Sequence, residues 1–371
     1  MKYYLIAGEA SGDLHGSNLI KQLHKLDENA DIRCWGGPMM EAAGATLVKD
    51  YKQLAFMGFV EVVMNLRTIL RNINFCKQDI LSYQPDVLVL IDYPGFNLRI
   101  AKWAHSQGIK TVYYISPQIW AWKENRVHDI KKYVDKMIVI LPFEKEFYKK
   151  WNYEVDYAGH PLVEVIEEFK QAHLSKNQAA KKIIALLPGS RKQEIRIKLP
   201  VMLEVSKAFP QYQFIVAKAP GQDDDFYQPY LQPYANVSAM SGKTYNLLNM
   251  ATAALVTSGT ATLETALFGV PQVVCYKGSP ISYRIAKWVI KIKYISLVNL
   301  IMDKPVVKEL IQNEMTAVNC IRELKQLLEN DERKQQLQKD YADLQHLLSQ
   351  DGNASLKAAE IVFLTAQKKV C

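Results

Sequence analysis

The chain has 371 residues, of which 49% are hydrophobic, 23% charged and 10% aromatic. This composition is that of a folded globular protein and excludes a disordered or fibrous chain. The length exceeds the usual size of one domain, so two domains are expected. Lysine and arginine (46) outnumber aspartate and glutamate (38), and the net charge of +8 favours an anionic partner: nucleic acid, a phosphorylated substrate or an acidic lipid.

The cysteines and the N-terminus predict a protein of the reducing cytoplasm. The five cysteines are scattered and form no C-x-x-C pair, so neither a disulfide framework nor a zinc site is expected. The chain begins directly with a strand-like run at residues 2–7 and contains no apolar run of about 18 residues. We therefore predict neither a signal peptide nor a membrane-spanning segment.

Short apolar runs alternate with longer amphipathic stretches along most of the chain. This alternation is typical of parallel sheets covered by helices, and it occurs in two series. We predict an α/β fold of two Rossmann-like parallel-sheet domains facing a cleft, over residues 1–162 and 163–350. Residues 351–371 are predicted to form a C-terminal helix that could pack back on the first domain. The apolar runs lie at 3–7, 86–91, 110–115 and 136–141, then at 183–187, 213–217, 253–257 and 272–276.

The first candidate substrate loop, GEASGDLHG at residues 8–16, follows the first predicted strand. Its small residues let the backbone approach a ligand before a helix begins, although a tight structural turn would use the same glycines. The glycine spacing does not match the dinucleotide fingerprint, and we predict no cofactor. Candidate substrate contacts and titratable groups in this loop are Glu9, Ser11, Gly12, Asp13 and His15.

A carboxylate follows the apolar run that ends at Ile91. Asp92 stands where a buried parallel strand would emerge at the ligand edge of the sheet, and it is the best general-base candidate. It would suit the deprotonation of a sugar hydroxyl that attacks an anomeric carbon. Asp92 could alternatively cap the following helix, and Glu9 and His15 stay open as other bases.

Two turns of the second domain are candidate nucleotide-binding sites. Residues 188–191 (PGSR) join a strand to a helix, and the backbone N–H groups of Gly189 and Ser190 stand beside the guanidinium of Arg191. This turn could cradle a diphosphate, although Arg191 could instead form a surface ion pair. A similar turn begins at Thr257, and we expect a ribose or uracil contact there. Its candidate residues are Ser258, Gly259, Thr260 and Glu264.

Three signals of other chemistry are discounted. Gly242-Lys243-Thr244 ends like a P-loop, but Val237 stands where the first glycine is required. The aspartates at 223–225 lie in a polar stretch and are expected to form a solvated loop. The seven histidines contain no H-x-x-x-H pair, and His160 is as well explained by a structural role between domains as by a functional one. We predict no metal site.

Three stretches have features of a lipid-binding surface. Residues 54–64 are too short to cross a bilayer and could form a core helix, an acyl-chain groove or a surface that touches the membrane. Residues 120–136 and 283–293 place tryptophans among cations, which suits contact with anionic lipid. Nucleic acid is not expected, because no recognised nucleic-acid module accompanies these cations. The candidate lipid contacts are Phe56, Met57, Phe59, Val62, Trp120, Trp122 and Trp288.

Nine short segments are each weak evidence but carry weight together because of their order. They are AGEASGD (7–13), MGFVEV (57–62), IDYP (91–94), SPQIWAW (116–122), LPFE (141–144), GHP (159–161), LPGSR (187–191), SGTA (258–261) and SLVNL (296–300). With these segments the chain resembles the lipid-A-disaccharide synthase family over about residues 3–315. The resemblance implies a GT-B architecture.

The resemblance also implies a reaction. It is the transfer of 2,3-diacylglucosamine from its UDP carrier to the 6-hydroxyl of 2,3-diacylglucosamine 1-phosphate, forming a β-1,6 linkage with inversion and releasing UDP. The implied location is peripheral, on the cytoplasmic face of the inner membrane, with anionic lipid as a partner. Asp92 matches the family's proposed base, Arg191 an arginine important for activity, and Asn299 a polar position also implicated in activity.

The sequence departs from the family at two places. Gly95 stands where members commonly have an acidic residue, so no second carboxylate is expected there. The tail beyond about residue 315 lacks recognisable motifs, so a homodimer of the strand-swapped type is left open.

Two other functions stay open from the residues themselves. A UDP-sugar 2-epimerase could share two such domains and a UDP cradle, but it would need no acyl-chain groove. A non-catalytic nucleotide- or lipid-binding module would bind a UDP-sugar without releasing UDP when an acceptor is added. The positions of Asp92 and Arg191 in the expected active loops argue against such a module.

Overall fold

The computed structural model describes residues 1–53, 66–173, 182–219, 222–279, 283, 292–349 and 352–367. The chain divides into two compact units. Unit 1 comprises Met1–Pro161 and Leu348–Cys371, and unit 2 comprises Leu162–Leu347. Each unit contains one parallel β-sheet with helices, so the predicted α/β fold of two parallel-sheet domains is confirmed.

Unit 1 is built on seven parallel strands in the order β3-β2-β1-β4-β5-β6-β7. Every residue of β4 is buried, as expected for a strand covered by helices on both faces. The chain order reverses between β1 and β4, whose register runs from Tyr3 opposite Val87 to Ala7 opposite Ile91. The loops that leave these two strands are therefore neighbours. The strands are β1 Lys2–Ala7, β2 Asp31–Gly36, β3 Thr46–Asp50, β4 Val87–Ile91, β5 Thr111–Tyr114, β6 Lys136–Val139 and β7 Asp156–Tyr157.

Helices connect these strands and bury large aromatic side chains in the core of unit 1. Trp35, Tyr113 and Tyr148 are fully buried in that core. The helices are α1 Ala10–Leu26, α2 Pro38–Ala42, α3 Leu66–Tyr83, α4 Pro94–Ser106, α5 Ile119–Trp122, α6 Val127–Tyr133 and α7 Pro142–Lys149, with 3-10 turns at Tyr51–Gln53 and Glu124–Arg126.

Unit 2 repeats this plan with six parallel strands in the order β10-β9-β8-β11-β12-β13. The chain order reverses between β8 and β11, where Ala253 lies opposite Ile184 and Val256 opposite Leu187. The strands are β8 Ile183–Leu187, β9 Gln213–Lys218, β10 Val237–Ser241, β11 Ala253–Thr257, β12 Gln272–Tyr276 and β13 Lys308–Ile311.

The helices of unit 2 begin before its first strand and continue beyond its last. They are α8 Leu162–Ala172, α9 Lys192–Val205, α10 Asp224–Leu231, α11 Thr244–Met250, α12 Thr260–Leu267, α13 Leu297–Met302, α14 Ala317–Glu329 and α15 Asp331–Ser349, with 3-10 turns at Ser206–Ala208 and Gln312–Glu314.

The C-terminal helix α16, Ala354–Gln367, belongs to unit 1 and packs against α1. Its buried face consists mainly of small residues such as Ala358 and Ala359, which let the two helices approach closely. Lys110, just before β5, donates from Nζ to the carbonyl oxygen of Ala366 at 3.2 Å. The last helix thus completes the unit that the N-terminus begins.

Part of the predicted lipid surface lies outside the described residues. This holds for Phe56, Met57, Phe59 and Val62, which fall within 54–65, and for Trp288, which falls within 284–291. Among the helices that the structure does describe, none combines the length and apolar character needed to cross a bilayer.

Candidate active site

The loop after β4 has an unusual backbone. Asp92 and Tyr93 have φ angles of 45° and 48°, in the left-handed region that few non-glycine residues adopt. The Asn97 amide donates to the carbonyl oxygen of Asp92 at 2.9 Å and to that of Ile91 at 3.2 Å. The Tyr113 hydroxyl donates to the Asp92 carbonyl at 2.5 Å. The side chains of Asn97 and of the more distant Tyr113 thus hold Asp92 in a strained conformation, and such strained residues are concentrated at functional sites.

The Asp92 carboxyl lies near a second carboxylate. Burial, and then the negative charge of Glu9, raise the pKa of Asp92 to about 7, while the Tyr93 backbone N–H acts in the opposite direction. Glu9 is the N-cap residue of α1, and the pairing of β1 with β4 brings it to this edge. The N-cap of α4 is Tyr93, so Asp92 does not hold the capping position. A carboxyl group with such a pKa is well matched to proton transfer near neutral pH.

Gly8 marks the close approach of the two loops. A Cβ atom on Gly8 would collide with the ring of Tyr93, so this position requires glycine. Gly12 is buried in the first turn of α1, where a Cβ would stand 3.0 Å from the Cβ of Ala7. Ser11 is exposed in the same turn and is the polar side chain of this loop most open to a ligand.

The Asp13 side chain is engaged in hydrogen bonds within unit 1. Its buried carboxylate accepts backbone N–H groups from Gly37 at 2.9 Å, Met39 at 3.2 Å and Met40 at 3.0 Å. These donors belong to the N-cap and first residues of α2, so Asp13 anchors the start of that helix.

His15 is buried in α1, two residues after Asp13. Burial lowers its pKa to about 4, so the imidazole is neutral at physiological pH. His160 is its electrostatic neighbour, and burial together with His15 lowers the pKa of His160 to about 3. The pKa of Asp92, raised to about 7, is therefore closer to neutrality than that of His15.

In unit 2, the turn after β8 places Gly189, Ser190 and Arg191 at the start of α9. Gly189 has a φ of 120°, which side-chain-bearing residues rarely adopt, and Ser190 is exposed. Arg191 is the N-cap residue, and its side chain is 61% exposed. Its Nη1 lies 3.7 Å from Oε1 of Glu194, so the ion pair considered from the sequence is present. The guanidinium stays accessible to solvent at the start of α9, and helix N-termini present backbone N–H groups to ligands.

The second turn follows β11, beside the first. Gly259 has a φ of 132°, and Thr260 is exposed at the start of α12. The Ser258 hydroxyl donates to the carbonyl oxygen of Ile295 at 2.8 Å. Because β8 and β11 pair in parallel, both turns lie at one edge of the sheet, the switch point where such sheets bind ligands.

Glu264 lies one turn inside α12. Its carboxyl accepts a hydrogen bond from the Tyr245 hydroxyl at 3.1 Å, and burial raises its pKa. Both Tyr245 and Glu264 are partly buried.

The buried Asn299 amide is fully occupied within unit 2. Its Nδ2 donates to the Val307 carbonyl at 2.9 Å and to Oε1 of Glu309 at 3.0 Å, and its Oδ1 accepts the Val307 N–H at 2.9 Å. The geometry favours a positioning role for Asn299, which joins α13 to the strand β13.

Trp120 and Trp122 occupy different environments. Trp120 donates from Nε1 to Oε1 of Glu144 at 3.2 Å and is therefore held within unit 1. Trp122 is 48% exposed, and Nζ of Lys123 and the guanidinium of Arg126 lie 4.2 Å and 5.8 Å from its ring centroid. An exposed tryptophan among cations suits a membrane interface.

The sequence analysis did not single out Glu144 and Lys198, which are both buried. Glu144 accepts backbone N–H groups from Ile140 and Leu141, and burial raises its pKa to about 7. The glutamate two residues after a helix-starting proline was the available signal. Lys198 is buried on the inner face of α9, and a lysine at an apolar position of the helical repeat was its signal.

The described residues contain no group of three or more histidine, cysteine, aspartate or glutamate side chains placed to hold a metal ion.

Comparisons with known proteins give one family. Residues 3–362 match the family described as lipid-A-disaccharide synthetase. The lipid-A-disaccharide synthase of Geobacter metallireducens is 37% identical, over 98% of this chain and 97% of that protein. The synthase of Coxiella burnetii is 38% identical, over 96% of each.

Solved structures that are similar to the chain belong to more than one enzyme class. UDP-GlcNAc 2-epimerase from Neisseria meningitidis, bound to UDP-GlcNAc, has a TM-score of 0.66 at 15% identity, covering 98% of this chain and 100% of that one. The calicheamicin glycosyltransferase CalG4 has a TM-score of 0.63 at 16% identity, covering 98% of each chain. At these identities the likeness concerns the fold alone.

Proposed function

The chain belongs to the lipid-A-disaccharide synthetase family, and from this premise we propose the reaction that it catalyses. The protein is a glycosyltransferase that uses a UDP-sugar and a glycolipid. Its donor is UDP-2,3-diacylglucosamine and its acceptor is 2,3-diacylglucosamine 1-phosphate. The products are the β-1,6-linked lipid A disaccharide 1-phosphate and UDP.

One observation carries the mechanism: the partly buried Asp92 carboxyl at the end of β4, whose pKa is raised to about 7. In the proposed step Asp92 accepts the proton of the acceptor 6-hydroxyl while that oxygen attacks the anomeric carbon of the donor. The bond from the anomeric carbon to the diphosphate breaks, and its electron pair leaves with UDP. Attack from the face opposite the leaving group inverts the configuration.

The leaving group is assigned to the turn after β8. The negative charge that develops on the diphosphate is stabilised by the guanidinium of Arg191 and the backbone N–H groups of Gly189 and Ser190. Ser258, Gly259 and Thr260 contact the nucleoside from the adjacent turn, and Glu264 supports that turn. Because protein donors neutralise this charge, the proposed step involves no metal ion.

The remaining assignments concern the acceptor and the membrane. Burial and the charge of Glu9 raise the pKa of Asp92. Ser11, Gly12 and His15 belong to the loop of unit 1 that we assign to the acceptor. Both substrates are amphiphilic, and the exposed Trp122 with Lys123 and Arg126 supports contact with anionic lipid. We place the enzyme peripherally on the cytoplasmic face of the inner membrane. A homodimer, and acyl-chain contacts through Phe56, Met57, Phe59, Val62 and Trp288, stay predictions.

The experiment measures UDP release from UDP-2,3-diacylglucosamine in detergent micelles without divalent metal, with and without 2,3-diacylglucosamine 1-phosphate. We expect UDP release that depends on the acceptor, together with a disaccharide product. UDP release that fails even after metal is restored would contradict the transferase.

A parallel incubation with UDP-GlcNAc tests the 2-epimerase. The fold does not discriminate, because the similar structures include both enzyme classes, whereas the family match favours the transferase. We expect NMR to detect no 2-epimer. Epimer formation without acceptor would favour that second enzyme.

A further inference from the structure

Three charged side chains at the start of α9 form a group that we call the charge triad: Arg191, Glu194 and Lys198. The Glu194 carboxylate bridges the two cations, with its Oε1 3.7 Å from Nη1 of Arg191 and its Oε2 3.5 Å from Nζ of Lys198. The burial of the two cations differs, since the Arg191 side chain is 61% exposed and that of Lys198 only 3%. The triad therefore runs from the surface into the interior of unit 2.

Lys198 occupies a position where the helical repeat calls for an apolar residue. Its neighbours on the same face of α9 are the buried Ile195, Leu199 and Met202. Burial lowers the pKa of Lys198, and Glu194 opposes this effect. Replacing a buried ion pair by apolar residues is often neutral or stabilising, so stability alone does not account for a lysine here. A buried, perturbed charge at a ligand edge is a mark of function.

The ammonium group of Lys198 lies beneath both turns of the proposed donor site. Its Nζ donates to the hydroxyl of Thr257, the last residue of β11. The same Nζ is 3.4 Å from the point where a Cβ atom on Gly189 would stand. Lys198 thus connects the exits of β8 and β11 and places a positive charge below the backbone between them.

Glu194 packs against the Gly189 turn on the same side as Nζ of Lys198. A Cβ on Gly189 would collide with Oε2 of Glu194, so the carboxylate packs directly against that backbone. The Glu194 side chain is 36% exposed, which leaves it room to rotate into solvent. The Glu194 carboxylate therefore contacts the same turn to which we assign the donor diphosphate.

We propose that Lys198 is a positioning residue for the donor diphosphate and that Glu194 is an internal anion that the diphosphate displaces. This inference rests on the proposed function of the Gly189 turn as a diphosphate site. Without nucleotide, Glu194 balances Arg191 and Lys198. When UDP binds, its diphosphate carries more charge than one carboxylate and takes over the attraction to both cations.

The test compares the affinity for UDP, measured by calorimetry, with the affinity for uridine, measured by NMR titration. Lys198→Met should weaken UDP binding about tenfold. Glu194→Gln should strengthen it about threefold, because the competing anion is gone. Uridine affinity should be unchanged in both variants, and Lys198→Arg should retain most of the UDP affinity.

Lys170 offers a matched control in the same unit. It is also a lysine whose pKa burial lowers, and its Nζ donates to the carbonyl oxygen of Leu267 at 2.6 Å, on a different helix from the triad. Lys170→Met should leave UDP affinity unchanged.

Several outcomes would overturn the inference while leaving the diphosphate site intact. Equal losses of UDP and uridine affinity in Lys198→Met would assign Lys198 to folding. If that variant does not fold, Glu194→Gln decides: unchanged or weaker UDP binding would show that Glu194 is not displaced. Failure of the unmodified protein to bind UDP would instead contradict the proposed function itself.

Discussion

In unit 1 the loops that leave the two central strands carry carboxylates, whereas in unit 2 the equivalent loops carry cations and hydroxyl groups. Asp92 and Glu9 stand together at the exits of β4 and β1, and burial with like charge raises the pKa of Asp92. Arg191 and Lys198 stand at the exit of β8, beside Thr257 at that of β11. The same architecture thus presents carboxylates suited to accept a proton in unit 1 and cations suited to bind an anion in unit 2. The side chains on the loops, rather than the strand order, determine this chemistry.

The two units also differ in how they make the turn. Unit 2 uses Gly189 and Gly259 for the left-handed backbone, which leaves the turn open to a ligand. Unit 1 places Asp92 and Tyr93 in that conformation and holds them with hydrogen bonds from Asn97 and Tyr113. A strained non-glycine residue is tolerated where its side chain is needed for function. A glycine is suited to a turn where the backbone itself approaches the ligand.

The largest expected effect comes from removing the proton acceptor of unit 1. Asp92→Asn should lower turnover about 100-fold or more and leave UDP affinity nearly unchanged, because UDP is assigned to unit 2. Steady-state kinetics and calorimetry measure the two quantities. Asp86→Asn is the control, since Asp86 accepts the Lys2 N–H at the other end of the same sheet. Near-normal turnover of Asp92→Asn would move the base to Glu9 or His15.

The carboxylate of Asp13 should matter for stability, because it anchors the start of α2. Asp13→Asn should lower the free energy of unfolding by about 2 kcal/mol, because an amide cannot accept all three buried N–H groups as the carboxylate does. Denaturant unfolding measures this change. Asp50→Asn, at an exposed turn, should have little effect, and equal stability of the two variants would contradict the anchoring role of Asp13.

The cation of unit 2 should affect binding as well as rate. Arg191→Ala should weaken UDP binding about tenfold and lower turnover. Both effects are expected because the diphosphate assigned to this turn is negatively charged in the bound donor and in the departing UDP. Arg322→Ala is a matched control: its side chain is 60% exposed, close to the 61% of Arg191, and it also pairs with a glutamate. Unchanged UDP affinity in Arg191→Ala would exclude the diphosphate assignment.

The smallest expected effect is a shift in pH dependence. Only the ionised Asp92 accepts a proton, so kcat/KM should fall as the pH is lowered through about 7. Glu9→Gln removes the like charge that raises this pKa, so the fall should move to lower pH. A pH profile of both proteins measures the shift. An unmoved profile would remove Glu9 from the electrostatics of Asp92, and loss of turnover at every pH would make Glu9 itself the base.

The sequence by itself was sufficient for the architecture and for the positions of the main loops. Parallel strands covered on both faces need continuous apolar runs, and these runs stand out in the sequence at β4, β8 and β11. Because ligand loops follow the carboxyl ends of such strands, Asp92 and Arg191 were placed correctly at strand exits.

Only the tertiary structure decided which way the neighbouring side chains face. Asp13 is four residues from Glu9, yet it binds the start of α2, whose residues lie 24 to 27 positions further along the chain. Asn299 uses its whole amide to hold Val307 and Glu309, and Lys198 reaches Thr257, 59 positions away. Spacing along a helix determines the direction of a side chain, but the partner it meets depends on how distant segments pack. That packing determines which polar side chains are held by partners inside the protein and which remain exposed to a ligand.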